Sequence, residues 1–573
     1  MRVYEAIVRG LESVGVEAAF GGNGENIASL TLALEKSHKI RAIMTRHEQA
    51  ASFMACGYAM YTNKLGVCFA TVGPGAFNLV SGLAVALSDS YPVLAISGYV
   101  SLPWQGKGAV NDTSGLNRTP DSQAIFSATT KKSYLLTDPA QTCDVLEEAV
   151  NLAFEGRPGP VHIQVPQNLT DHDARVTNYR DIRLMTTPVA PDAARVEAVA
   201  TALAQAMDAG RSVVLLAGFG AVRSGAGAEV KRFAERFQIP VLTTLDGKGI
   251  IAETHPLAVG VFAESGHSAA WKAFRDADVV LAVGNSFSQH ATFNLREDLF
   301  DGKRLLQVNI SPTEIGKRYV PDHYIVADAR LAIAALAAAL EPRVGPVPPA
   351  KPDRRSYETR WIPHITGDIH PGQLAQTIGK MLPDRGVILA DAGAHLAWLG
   401  YYVELAEGQN YRKTGTFGPM AGHVNGAIGV KLAQPERTVV VGCGDGCYSM
   451  AGFELMTAVQ NRIPVIWVIF NDYEYKLIKI YQYATYGEAG LVEFENPDFA
   501  AYARICGADG YRVESLAEFE DAFARALVSN RPTVIDAKIT RWALPHYSSS
   551  PKGVAHGVWE LIEQRFRDGL SAG

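Results

Sequence analysis

The sequence predicts an α/β protein of three domains, each a mostly parallel sheet flanked by helices. Three observations predict it. Short Val, Ile and Leu runs alternate with Ala-rich helical patterns along the whole chain, as strands buried on both faces require. Two seams rich in proline and polar or charged residues, at 169–191 and 341–360, read as stiff exposed connectors between blocks. Glycine-rich polar segments recur at 21–26, 73–78, 393–395, 415–422 and 442–446, where strands would end. Ligands of such sheets sit beyond those strand ends.

The seams give an N-terminal domain at 1–170, a central domain at 190–340, a third domain at 365–545 and a tail at 546–573. In the first block, 66–71 and 92–97 read as strands around a helix at 77–87. In the second, 212–217, 240–243 and 279–283 read as strands. In the third, 386–390, 438–441 and 464–470 do, with a helical pattern at 450–460 before the last. No short-period repeat is present. The stretch after Thr540, with Trp542, Pro545, His546 and Tyr547 at its start, reads either as a cover over a ligand entrance or as ordinary terminal packing.

Composition narrows the function. The chain has 573 residues, 47% hydrophobic and 20% charged, which excludes global disorder. Its net charge of -6 argues against a broad nucleic-acid surface and leaves room for a local phosphate pocket. Six scattered cysteines do not make a disulfide framework. Cys443 and Cys447 lack a second pair to complete a zinc site, so buried thiols in a reducing compartment are expected. The N-terminus has no secretion pattern, and no apolar run reaches membrane-spanning length. A cytoplasmic protein without nucleic-acid or membrane partners is the expectation.

The segment Val439-Val440-Val441-Gly442-Cys443-Gly444-Asp445-Gly446 reads as a strand ending in a glycine-rich turn with one carboxylate. After the helical pattern, the next strand ends in Asn471-Asp472. Adjacent parallel strands would bring Asp445 and Asp472 to one sheet edge. Two hard oxygen ligands there suit Mg²⁺ or Ca²⁺, and free N–H groups suit a phosphate. The plainer alternative is that Gly444-Asp445-Gly446 is only a tight turn.

This arrangement resembles the thiamine diphosphate enzymes, in particular their acetolactate synthase-like branch. Their metal motif is Gly-Asp-Gly followed, some two dozen residues on, by Asn-Asn or Asn-Asp. Other segments share the likeness: Arg46-His47-Glu48-Gln49, Gly73-Pro74-Gly75-Ala76-Phe77-Asn78, Gly156-Arg157-Pro158-Gly159-Pro160, Asp391-Ala392-Gly393-Ala394-His395 and Gly418-Pro419-Met420-Ala421. Their order and spacing span almost the whole chain.

The resemblance implies thiamine diphosphate and Mg²⁺ as cofactors. Asp445 and Asp472 would be side-chain metal ligands and Glu474 would lend its backbone carbonyl, with Asn471 as the fallback for Asp472. Glu48 would face the cofactor's aminopyrimidine and share a proton with it; taken alone, it reads as a helix-start or ion-pair residue. Met420 would be the wedge that keeps the cofactor bent, or core packing. Gly73, Asn78, Ala394, His395, Gly418, Gly444, Gly446 and Cys447 would line the cofactor. Asn78 also reads as a helix cap, and His395 as a surface or C-cap histidine.

The implied reaction is decarboxylation of pyruvate or another 2-oxo acid, with ligation to a second carbonyl. Decarboxylation or C–C cleavage without ligation is the runner-up, and a non-catalytic cofactor-binding homologue is a third reading. The acceptor side departs from the family pattern. Asn23 and Glu25 stand in the loop that usually reads Gly-Val-Pro-Gly-Gly, and Tyr481 replaces a Trp; each is a candidate substrate contact. Asn23 and Glu25 also read as caps of the helix that follows. Lys479 is a candidate carboxylate partner or an exposed lysine. FAD, held by several relatives, is not favoured, because Val261 to His267 and Ser286 to Gln289 do not reproduce flavin contacts. The resemblance also places Glu48 and the metal site on different subunits, so a homodimer is the minimum assembly and a homotetramer the expected one.

Overall fold

A computed structural model describes residues 1–170, 174–353, 368–541 and 543–545. Among them, strands form three six-stranded sheets whose pairings are all parallel. The first contains β1 (Ala18–Gly21), β2 (Arg41–Met44), β3 (Gly66–Ala70), β4 (Val93–Tyr99), β5 (Ser133–Leu135) and β6 (Val161–Pro166). Its order is β2-β1-β3-β4-β6-β5. The second contains β7 (Val213–Ala217), β8 (Val241–Thr243), β9 (Ala258–Val261), β10 (Val279–Val283), β11 (Arg304–Asn309) and β12 (His323–Val326), ordered β12-β11-β10-β7-β8-β9. The third contains β13 (Val387–Ala390), β14 (Asn410–Lys413), β15 (Val439–Gly444), β16 (Ile466–Asn471), β17 (Asp509–Val513) and β18 (Thr533–Lys538), ordered β14-β13-β15-β16-β18-β17.

The first and third sheets therefore repeat one strand order, which no sequence repeat disclosed. The middle sheet has the doubly wound order typical of dinucleotide-binding folds. The apolar runs at the sheet centres are covered on both faces: β3, β4, β7, β10, β16 and β18 are buried along their whole length.

Several local expectations change. The predicted helix at 77–87 is two helices, Pro74–Asn78 and Val80–Asp89; Pro74, pre-set for a first turn, starts the run earlier. The glycine-rich turn at 442–446 is not a turn. β15 runs on through Gly444, and Asp445 opens the helix Asp445–Ala451 directly. A 3-10 turn, Gly452–Glu454, and the helix Leu455–Asn461 complete the predicted helical stretch. Close packing, not a turn, accounts for Gly446: a Cβ there would lie 2.5 Å from the Tyr475 ring.

Most described residues of the two seams are exposed, as their composition implies, and a few apolar side chains pin them to the domains. Val176 and Ile182 are buried in the first domain's core, and Val176 N–H donates to the Met1 carbonyl at 2.9 Å. Val344 is buried against the middle domain, and Arg343 Nη2 meets Glu197 Oε1 at 2.6 Å. The tail at 546–573 lies outside the described residues. All six cysteines are free, and five are buried.

First and third domains meet through two helices, Glu48–Thr62 and Gly422–Ala433, packed backbone to backbone. A Cβ at Gly57 would fall 2.1 Å from the Gly426 carbonyl oxygen, and one at Gly429 would fall 1.9 Å from that of Met54. Gly429→Ala is therefore expected to push the two domains apart and destabilise the chain by about 1–3 kcal/mol or more. Thermal melts beside Gly345→Ala, where an added Cβ meets nothing within 4 Å, would read this. Equal melting temperatures for the two variants would disprove the close-packing role.

Candidate active site

The third sheet reverses its winding between β13 and β15, the place where open α/β sheets bind ligands. A cavity of about 310 Å³ opens there, lined among others by Gly393, His395, Met420, Asp445 and Asp472. Its described lining comes entirely from the third domain.

Asp445 is 1% exposed. Its carboxylate accepts the N–H groups of Gly446 at 2.9 Å and Tyr473 at 2.8 Å, and Asn496 Nδ2 at 2.7 Å. Burial pushes its carboxyl up to about 6, against those hydrogen bonds. Asp472, also buried, is pushed up to about 7 by desolvation, opposed by the nearby Lys476. Lys476 Nζ stands 3.5 Å from Asp472 Oδ2 and pairs with Glu474 Oε1. Asn471 does not line the cavity. Its amide donates to Asp536 Oδ1 at 2.7 Å, and its oxygen accepts Asn496 Nδ2 at 3.0 Å. Of the two neighbours, Asp472 is the one placed toward the cavity. The Glu474 side chain is turned to Lys476 and Lys479, the latter at 2.5 Å.

The other predicted third-domain residues converge on the same cavity: Ala394, His395, Gly418, Met420, Gly444, Gly446 and Cys447 all line it. His395 is buried, and desolvation holds its imidazole down at about 4, so it is neutral near pH 7. Its Nε2 is buried without a hydrogen-bond partner. Met420 Cε lies 3.4 Å from where a Cβ on Gly446 would sit.

A further acid, which no local pattern in the sequence marks, holds this half together. Asp391 follows β13, is fully buried, and accepts four N–H groups: Ala392 at 2.8 Å, Ala421 at 2.9 Å, His423 at 2.7 Å and Val424 at 3.0 Å. It thereby anchors the backbone directly after Met420, where Ala421 adopts φ 70°. From the other side, Asp89 of the first domain accepts Thr416 N–H at 3.1 Å. A Cβ on Gly415 would lie 1.9 Å from the Asp89 carboxylate, so only glycine fits. Lys476 was also missed; its one legible signal is helical spacing, four residues after Asp472.

The first domain carries a second cluster at the equivalent switch between β1 and β3. Glu48, half-buried, opens the helix Glu48–Thr62 and accepts Asn78 Nδ2 at 2.9 Å. A Cβ on Gly75 would lie 2.9 Å from Glu48 Oε1. Gly73, at φ 66°, caps the helix Pro74–Asn78. Asn23 and Glu25 are exposed beside this cluster. Asn23 Oδ1 accepts Gly24 N–H at 2.8 Å and Thr31 Oγ1 at 3.1 Å, while Glu25 Oε1 accepts Gln167 Nε2 at 3.3 Å. Tyr481 is 57% exposed on the helix Lys476–Tyr486, outside the cavity lining. Lys479 is engaged with Glu474 and with Glu493 at 2.7 Å.

Among the described residues no group of three or more His, Cys, Asp or Glu side chains is arranged to hold a metal ion. Asp445 and Asp472 are nonetheless two buried carboxylates that line one cavity. The unpartnered His395 Nε2, the glycines whose Cβ positions are filled and the paired buried carboxylates fit a phosphorylated ligand carrying a hard divalent cation. A further cavity, of about 390 Å³, lies where the three domains meet. Two middle-domain segments, 218–220 and 284–286, line it at the switch between β7 and β10.

Three domains of these topologies, with a carboxylate-bearing cavity in the third and an acid at the matching place in the first, define a class of cofactor-dependent α/β enzymes. The chain belongs to the thiamine pyrophosphate enzyme family. Residues 1–123 match its N-terminal TPP binding domain, 200–336 its central domain and 391–537 its C-terminal TPP binding domain. The chain is 32% identical over 562 residues to a probable acetolactate synthase large subunit of Methanocaldococcus jannaschii, covering 94% of this chain and 92% of that protein. It is 31% identical over 552 residues to an acetolactate synthase of Arthrospira platensis, covering 94% of each. With an acetolactate synthase of Mycobacterium leprae it shares 30% over 549 residues, covering 93% of this chain and 86% of that one. No helix among the described residues is long and apolar enough to cross a membrane.

Proposed function

We propose that the protein is a thiamine diphosphate- and Mg²⁺-dependent carboligase that decarboxylates pyruvate or another 2-oxo acid and joins the retained acyl unit to a second carbonyl compound. One observation carries this reading: Asp445 and Asp472 share a cavity at one switch point, and the Glu48–Asn78 pair occupies the equivalent switch point of a sheet with the same strand order. The acetolactate synthase relatives support the donor and the ligation step.

When bound, thiamine diphosphate supplies the carbon nucleophile and the electron sink for decarboxylation. Asp445, Asp472 and the Glu474 carbonyl would hold the Mg²⁺. Neutral His395 offers its free ring nitrogen to the diphosphate side. Met420, fixed between the Asp391 and Asp89 anchors, shapes the floor of the cavity. Trp398 and Phe470 wall it against water. Glu48 holds and returns a proton at its carboxylate, oriented by the Asn78 amide. Asn23, Glu25 and Tyr481 are the proposed acceptor-side contacts.

The Glu48 cluster and the Asp445 cavity do not share a lining within one chain. A second copy is therefore inferred to complete each centre, giving a homodimer at minimum and a homotetramer as the expected assembly. A cytoplasmic location fits this reading.

The test is product analysis. The metal-loaded protein is incubated with pyruvate alone, then with a panel of aldehydes and 2-oxo acids. A ligated 2-hydroxy ketone or 2-hydroxy-2-oxo-acid-type adduct supports the reading. Free aldehyde alone moves it to simple decarboxylation, and no carbon dioxide from any 2-oxo acid moves it to C–C cleavage. The visible spectrum of the same preparation is expected to lack flavin absorption; a flavin spectrum would assign the three-domain cavity to FAD.

A further inference from the structure

Glu454 belongs to neither cluster, yet it touches the frame of both. It ends the 3-10 turn Gly452–Glu454 of the third domain and is 4% exposed. Its carboxylate reaches across to the first domain. Oε1 accepts the backbone N–H groups of Arg46 and His47, both at 2.9 Å, and Oε2 accepts Thr457 Oγ1 at 2.6 Å. These two backbone donors immediately precede Glu48, and His47 is the N-cap of the helix that Glu48 opens. The neighbouring contacts reinforce the join: Arg46 Nη2 donates to Gln460 Oε1 at 2.8 Å, and Arg41 Nη2 to the Asn461 carbonyl at 2.6 Å. On its own side, Glu454 follows directly from the helix Asp445–Ala451, which begins at a cavity carboxylate.

A buried carboxylate that accepts two consecutive backbone N–H groups fixes the orientation of that peptide, because both donors must point at one oxygen. The residue after such a peptide inherits its direction. A surface ion pair would not do this, since long side chains let the backbone move.

We propose that Glu454 is a positioning residue: its carboxylate fixes the 46–47 turn, and so the direction in which Glu48 is presented, and ties that turn to the element beginning at Asp445. The catalytic part of this inference rests on the proposed function. The geometric part stands without it.

The test uses the full-length protein carrying Glu454→Ala, Glu454→Gln or Glu454→Asp. Amide hydrogen exchange is read in the cofactor-free protein at Arg46 and His47. C2 hydrogen–deuterium exchange of thiamine diphosphate is read in the Mg²⁺-loaded protein. Loss of a charge-assisted hydrogen bond should raise amide exchange at 46–47 by about tenfold or more in Glu454→Ala. Cofactor C2 exchange should fall by a comparable factor while cofactor affinity stays close to that of the wild type. Glu454→Gln, which keeps an acceptor oxygen at the same reach, should restore most of both. Glu454→Asp, one methylene shorter, should behave like the alanine variant and serves if that variant does not fold. Amide and C2 exchange both within about twofold of wild type in folded Glu454→Ala or Glu454→Asp would overturn the proposal. A lowered melting temperature with unchanged local exchange would reduce Glu454 to a structural residue and overturn it as well. Failure of the wild type to bind thiamine diphosphate with Mg²⁺ sinks the proposed function, whereas the amide arm needs no cofactor and reads Glu454 separately.

Discussion

Glu48→Gln is expected to lower turnover by about 10²- to 10⁴-fold, the range for removing a positioned acid–base group. The chain should still fold, because Glu48 is only half-buried and glutamine keeps an oxygen for the Asn78 amide. Mg²⁺-dependent anchoring of the diphosphate should persist, since Glu48 does not line the Asp445 cavity. The decisive measurement is C2 exchange of bound thiamine diphosphate, which should fall together with turnover. Unchanged exchange in a folded, cofactor-loaded variant would remove Glu48 from the proton path.

Asp445→Asn should have the second large effect, on binding. The Asp445 carboxylate faces three donors from Gly446, Tyr473 and Asn496. An amide there would set an NH₂ group against at least one of them and withdraw a charge from the cation. Even outer-shell changes at metal sites cost about 10–100-fold in affinity, so loss of a direct carboxylate should weaken Mg²⁺-dependent cofactor binding by at least ~100-fold. Calorimetric titration of cofactor with and without Mg²⁺ reads this, and wild-type affinity in the variant would refute the metal assignment. The pH dependence follows from burial. Without a cation, Asp445 and Asp472 titrate at about 6 and about 7, above their ordinary range. The folded chain then binds these protons more tightly than the unfolded one, so stability falls as pH rises from about 4 through those values. A bound cation removes that loss, and Mg²⁺ affinity should weaken as pH drops through the same range.

The strand runs and their division into three blocks were legible because fully buried parallel strands need unbroken Val, Ile and Leu. Asp445 and Asp472 were legible because strand ends are marked by glycine and by polar residues. What escaped the sequence was contact across the fold. Nothing local says that Asp391 receives four N–H groups, or that Glu454 reaches the turn before Glu48. Glycine was misread in one place: the 442–446 segment looked like a turn, but it is the end of a strand running into a helix, with small residues demanded by Tyr475 and His395. Tyr481 was legible only as a substitution for Trp, and its helix leaves it exposed.

The shared strand order of the first and third sheets means that one scaffold is used twice in the same polypeptide, with Glu48 at the switch point of one version and Asp445 and Asp472 at that of the other. Damage to either version is then separable from damage to its counterpart. Mixing inactive Glu48→Gln chains with inactive Asp445→Asn chains should, after subunit exchange, generate hybrids in which one centre inherits both sound halves. Recovery of up to about half the activity of a wild-type dimer in those hybrids, by the symmetry of a closed pair, would be genetic complementation written into the fold.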